Sequence, residues 1–240
     1  MTKALPDKAG ADAPTATVVL AHGAWADGSS WSPVIAELRH AGIGVTAAPL
    51  PLTSLYDDVT ALNRAIDRTD GPVVLVGHAY AGAVIAATTH PRIRALVFIA
   101  ALAPDEGETV ADVFYREPAH PDAPDLVPDS DGWIWLPTNA FGTAFAQHAT
   151  AAQKALLAAV QRPIAVQCIQ QPVGRPGWKD QPCWYLLAEQ DRMINPVTQK
   201  FMAARMRAHT RSYDVDHAPL IGQPGAVTQV ISEALRGAAP

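Results

Sequence analysis

Cysteine is scarce in this chain: Cys168 and Cys183 are the only two among 240 residues. Two thiols make neither a disulfide scaffold nor a cysteine-rich zinc site, and both are read as buried, inert side chains. Charge is thin as well, at 17% of residues, with 18 basic against 23 acidic side chains and a formal net charge of −5. The absence of a lysine and arginine run argues against nucleic acid and against a polybasic membrane surface. No window holds about 18 consecutive apolar residues, so no membrane-spanning helix is expected. Residues 1–15 set Lys3, Asp7, Lys8 and Asp12 among alanine and proline. Without an apolar stretch they read as a tail rather than a signal peptide, and the expected location is the cytoplasm. Internal repeats and a low-complexity linker are absent too. What the chain has is 49% hydrophobic residues, enough for one sizeable core at this length.

Those residues fall in short runs that alternate with helical stripes. The β-branched run 17–21, Val45 to Ala48, the unbroken run Val73-Val74-Leu75-Val76, the run 95–99 and the run 184–187 read as buried strands, and 212–215 as a last one. Between them, Trp31, Val34, Ile35 and Leu38 mark one helical face. Val59, Leu62 and Ile66 mark a second, opened by Asp57 and Asp58 at its positive end. Residues 81–89 form a helix of small side chains, Asn195-Pro196 caps and opens another with Val197, Phe201 and Met202 facing inward, and 225–235 is the last. Strand and helix in alternation predict a single α/β domain, a mostly parallel sheet with helices on both faces.

Residues 105–181 break the rhythm, with many prolines and two helical patches at 110–115 and 151–161. An insertion of that size between core strands is expected to be a lid. Its Trp133, Trp135, Phe141 and Trp178, together with Trp25 near the first strand, are the candidate substrate-binding aromatics, each weighed against plain packing.

The strand at 73–76 runs into Gly77-His78-Ala79-Tyr80-Ala81-Gly82 and then into a helix. A strand, a sharp turn and a helix with small residues on both sides make a nucleophile elbow, which lifts one side chain above the sheet edge. Small neighbours are needed because the turn is strained and the two backbones approach closely. The lifted position calls for Ser, Cys or Asp, and here it is Ala79, which carries no nucleophilic atom.

Four segments in order, each after an expected strand, carry a resemblance: His22-Gly23-Ala24-Trp25, the Gly-His-x-Tyr-x-Gly elbow, Glu189-Gln190-Asp191-Arg192 and Asp216-His217-Ala218-Pro219. Together they resemble the α/β-hydrolase superfamily, nearest its small esterase-like branch beside the plant methyl-esterases and hydroxynitrile lyases. The resemblance covers residues 17–235 and implies an α/β-hydrolase fold acting on a small ester or lactone, with no metal and no organic cofactor. It implies Asp191 as the acid of a triad and His217 as the general base. It also implies the backbone N–H groups of Ala24 and Tyr80 as an oxyanion hole. His22 is expected to order its own loop, His78 to be buried packing and Asp105 to be a reserve acid; His120 and His148 show no metal-site spacing.

Ala79 leaves three readings open. In one, a natural serine has been replaced to give an inactive hydrolase of an ester or lactone with an apolar or aromatic group. In the second, alanine is natural and the His217–Asp191 pair works alone as a base, as in cofactor-free oxygenases, lyases or cyclases of the superfamily. The lyase form is disfavoured, because Ala218 stands where the group's hydroxynitrile lyases carry lysine. In the third, the pocket binds a ligand without chemistry.

Overall fold

The computed structural model describes residues 16–238, so the tail expected at 1–15 lies outside the described residues. Strands β1 (Thr17–Ala21), β2 (Val45–Ala48), β3 (Val73–His78) and β4 (Ile93–Ile99) alternate with helices α1 (Ser32–His40), α2 (Leu55–Asp67) and α3 (Ala81–Ala87). The insertion follows, with α4 (Val110–Phe114), β5 (Trp133–Ile134), α5 (Ala151–Val160), β6 (Ile164–Ala165) and α6 (Val166–Gln170). The chain then returns to the core through β7 (Cys183–Ala188), α7 (Pro196–Arg205), β8 (His209–Tyr213), α8 (Pro219–Gly222) and α9 (Pro224–Gly237).

Six strands build one sheet in the order β2-β1-β3-β4-β7-β8, and every neighbouring pair is parallel. β5 and β6 form a separate antiparallel pair. Helices α1 and α9 pack together on one face, and α2 and α3 on the other. β3 and β7 are therefore buried along their whole length, which is why both read as unbroken apolar runs. Ser54 caps α2 by accepting the Asp57 N–H, and Asn195 caps α7 by accepting that of Val197.

Two expectations fail at the edge of the sheet. The last strand lies at His209–Tyr213 and not at 212–215, and residues 209–212 are exposed. An edge strand pairs on one side only, so it needs no apolar run to betray it. On α7, Val197 faces solvent, and the inward side is Thr198, Gln199, Met202 and Ala203. The buried Gln199 has a polar task described below.

The strand order places the chemistry. In a parallel sheet all carboxyl ends open on one edge, and side chains that act together come from strands that are neighbours there. β1 and β3 are neighbours, which brings the loop at Gly23–Trp25 beside the elbow. β7 and β8 are neighbours, which brings Asp191 beside His217.

Candidate active site

The elbow is built by close approach. A Cβ on Gly77 would lie 2.6 Å from the carbonyl oxygen of Ala81, and one on Gly82 would overlap that of Leu102. Between these glycines Ala79 takes φ +51°, a left-handed conformation that costs a non-glycine residue on the order of 1–2 kcal/mol. The surrounding backbone holds it: Ala79 donates its N–H to Ile99, and its carbonyl accepts from both Gly82 and Leu102. A Cβ on Gly23 would sit 3.0 Å from the Ala79 methyl, so the loop after β1 lies directly on the elbow.

His217 and Asp191 meet as their strand order requires. His217 Nδ1 lies 2.8 Å from Asp191 Oδ2, and both residues are buried. A carboxylate only accepts, so Nδ1 carries the proton and Nε2 is left free to act as a base. The carboxylate is itself fixed: Oδ1 accepts the N–H groups of Met193 and Ile194, and Oδ2 accepts Gln199 Nε2 at 2.8 Å. Gln199 also donates to the Ile194 carbonyl and accepts the Ala188 N–H. Sequence reasoning missed this glutamine. Its signal was a polar residue three positions past the proline that opens α7, on what proves to be the inward face. The neighbouring Asp216 is buried as well and accepts the N–H groups of His148 and Ala218, fixing the turn that carries His217.

His78 does more than fill space. Its Nε2 donates to the backbone carbonyl of His217 at 2.7 Å. Burial, reinforced by the neighbouring His217, pushes its pKa down to about 3, so the ring stays neutral. His22, also held neutral by burial, donates from Nδ1 to Gly23 and accepts the Leu50 N–H. Among the described residues no hydrogen bond takes up the N–H of Ala24 or of Tyr80. Both residues line the same cavity as Ala79 and His217.

That cavity encloses about 580 Å³ of empty space, its open mouth included. Its walls are Trp25, Leu102, Met193 and Ile194 from the core, with Val110, Phe114, Tyr115, Leu126, Ile134, Ile164 and Ile169 from the insertion. Among the described residues no lysine, arginine, aspartate or glutamate lines it. Of the five aromatics named from the sequence, only Trp25 is on this wall; its indole N–H is held by the Ile134 carbonyl. Strand alternation explains two of the others: Ile134 faces the cavity, so Trp133 and Trp135 point away from it, and Trp135 is exposed. Phe141 is buried behind Phe145, and it is Phe145 whose ring lies 5.1 Å from that of His217. Trp178 donates to Pro104 and packs under Arg205, away from the site. Asp105, the reserve acid, pairs with Lys179 at 2.5 Å. Among the described residues no group of three or more His, Cys, Asp or Glu is placed to hold a metal ion, and no helix is long and apolar enough to cross a membrane.

Residues 18–230 match the alpha/beta hydrolase family over nearly the whole chain. The chain belongs to that family. It is 32% identical over 112 residues to the carbendazim hydrolyzing esterase of Nocardioides sp. (strain SG-4G), a match covering 40% of this chain and 46% of that protein. It is 32% identical over 137 residues to methylesterase 7 of Arabidopsis thaliana, covering 50% of this chain and 47% of the relative. The chain thus spans about half the length of the curated relatives it matches. Among solved structures, polyneuridine aldehyde esterase superposes with a TM-score of 0.77 at 18% identity, covering 92% of this chain and 99% of that one. A pyrethroid hydrolase from Sphingobium faniae JZ-2 gives 0.78 at 19% identity, covering 92% and 97%. At such identities these likenesses establish the α/β-hydrolase fold of this member.

Proposed function

We propose that this cavity takes a small neutral ester or lactone with an apolar or aromatic group. The carbonyl oxygen sits on the N–H groups of Ala24 and Tyr80, under the base formed by His217 and Asp191. The observation that carries the reading is the intact relay: an imidazole fixed by a fourfold-bonded carboxylate, on the wall of a cavity with no charged lining. The names of the relatives, esterases and hydrolases, support the same reaction class. A neutral substrate fits such walls, whereas a carboxylate would enter without a partner. The reading needs no cofactor.

With serine at position 79 the route is double displacement. The hydroxyl would attack the carbonyl as His217 takes its proton. The alkoxide would leave with that proton, and water would then cleave the acyl-enzyme. With Ala79 that route is closed, because no atom is present to carry the acyl group. This favours a second reading for the chain as it stands: His217 takes a proton directly, from water or from the substrate. In the water case, hydroxide adds to the carbonyl, the C–O bond breaks, and the histidine returns its proton to the leaving alkoxide.

The test is a panel of p-nitrophenyl and alkyl esters hydrolysed by the chain as it stands, by His217→Ala, by Ala79→Ser and by Ala79→Ser/His217→Ala. The expected result is a gain on the order of 10³ or more with serine, lost when His217 is removed. Turnover by the Ala79 chain that depends on His217 and does not rise with serine supports the direct-base reading. Tight binding with no turnover in any form makes the pocket a binding site only.

A further inference from the structure

Among the described residues, one buried carboxylate belongs neither to the His217–Asp191 pair nor to the turn that Asp216 fixes. Asp58 has no exposed surface, although it sits in the first turn of α2, where an acidic residue ordinarily faces water. Its Oδ1 accepts the N–H of Leu52, and its Oδ2 accepts the hydroxyl of Tyr80 at 2.7 Å. The Cys168 thiol, from α6 of the insertion, points at the same Oδ2 from 3.8 Å. One of the three partners lines the cavity, and the other two lie next to residues that do. Tyr80 is the residue after the elbow and lines the cavity. Leu52 sits at φ +61°, and its carbonyl accepts the N–H of Ala165, next to the cavity residue Ile164. Cys168 precedes Ile169, another cavity residue.

A buried carboxylate is costly unless it is hydrogen-bonded, and helix α2 does not need one here, since Ser54 already caps it. What Asp58 fixes is Tyr80. The backbone of Tyr80 is held on one side by the strained Ala79, and its side chain is held at the far end by Asp58. Among the described residues the peptide N–H between these two anchors has no partner. We propose that Asp58 is a positioning residue: through the Tyr80 hydroxyl it sets the direction of the Tyr80 N–H, the second donor of the oxyanion site. It also ties the elbow to the α6 wall of the cavity. The catalytic half of this proposal rests on the ester-hydrolase reading above.

The variants are Tyr80→Phe, which keeps the ring and the N–H but cuts the tie, and Asp58→Asn. Both are made in the Ala79→Ser chain and assayed on p-nitrophenyl butyrate. The expected result is a fall in kcat of about 10- to 100-fold with little change in KM. The pH profile should be unaltered, and the double variant should be no worse than the poorer single one. A structural role alone would lower Tm and leave kcat intact in the folded protein, and that result overturns the proposal, as does a loss confined to KM. Should Asp58→Asn fail to fold, Tyr80→Phe decides alone. A silent Ala79→Ser chain would sink the hydrolase reading instead. The positioning claim is then decided in the chain as it exists, by the orientation of the residue-80 N–H measured from residual dipolar couplings. A reoriented vector in Tyr80→Phe supports it, and an unchanged vector refutes it.

Discussion

His78 holds His217 by its backbone: its Nε2–H donates to the carbonyl of His217 at 2.7 Å, from a ring buried against the same Phe145 that packs on His217. The hydrogen bond joins the end of β3 to the loop after β8, across two intervening strands. It locates the His217 loop over the elbow without using either imidazole nitrogen of His217.

The burial of this ring makes stability depend on pH. Burial pushes the His78 pKa from 6.5 to about 3. A base whose folded pKa lies below its unfolded one contributes stability that is complete above pH 6.5 and is lost as pH falls toward 3, at about 1.4 kcal/mol per pH unit for one proton. His22 acts with the same sign. Asp58, raised by burial, acts in the opposite direction at the acid end. Urea unfolding of His78→Asn between pH 6.5 and 3 should therefore show a shallower, though not flat, pH dependence than the parent. An unchanged slope would mean that His78 does not titrate as described.

The elbow glycines should not tolerate a methyl group. In Gly77→Ala the new Cβ meets the Ala81 carbonyl at 2.6 Å, where only backbone can give way, so a loss of about 1–3 kcal/mol is expected. Gly174→Ala, where a Cβ meets nothing within 4 Å, is the control and should leave Tm unchanged. Calorimetry on the two variants checks both.

Gln199 should matter out of proportion to its distance from the cavity. Gln199→Leu keeps the volume and removes three buried hydrogen bonds, among them the one to Asp191. A stability cost of about 1–3 kcal/mol is expected. In the Ala79→Ser chain, turnover should fall by roughly tenfold, against roughly 10⁴ for Asp191→Asn, which gives His217 the wrong tautomer. Equal activity of Gln199→Leu and its parent would show that Asp191 is held well enough by the Met193 and Ile194 N–H groups.

Substrate selection should follow the cavity wall rather than the count of aromatics in the insertion. Phe114→Ala removes a wall residue and should raise KM for bulky aryl esters by about tenfold in the Ala79→Ser chain. Trp135→Ala changes an exposed side chain and should leave KM where it was. A reversed order would place substrate on the outer face of β5.

The strands and helices that could be read from the sequence are those with a one-sided or doubly covered burial problem. Residues 73–76 of β3 are apolar throughout because helices close both faces, and Val34 and Leu38 recur at helical spacing because one side of α1 meets the core. β8 escaped because an edge strand is free of that demand. Val197 misled because the first residue after Pro196 is apolar yet points outward. Of the proposed site, the sequence points to residue types at fixed places after a strand: Ala79 in its glycine-flanked turn, and Asp191 and His217, which the fold brings to 2.8 Å of each other. The cavity wall was not legible, because aromatic residues serve packing as readily as binding, and one residue of register on β5 puts Ile134 on the cavity and leaves both tryptophans off it.

By itself, then, the sequence determined the kind of fold, the order of its elements and the alanine at the turn of the elbow, since each follows from local pattern: burial period, turn sterics and the identity of one side chain. Tertiary structure decided which residues share a wall and which polar groups are paired. Gln199 meets Asp191, His78 meets the carbonyl of His217, and Asp58 meets Tyr80 across 22 residues of chain. Those pairings come from strand order and from the need to satisfy every polar group removed from water, and neither constraint leaves a periodic mark in the chain.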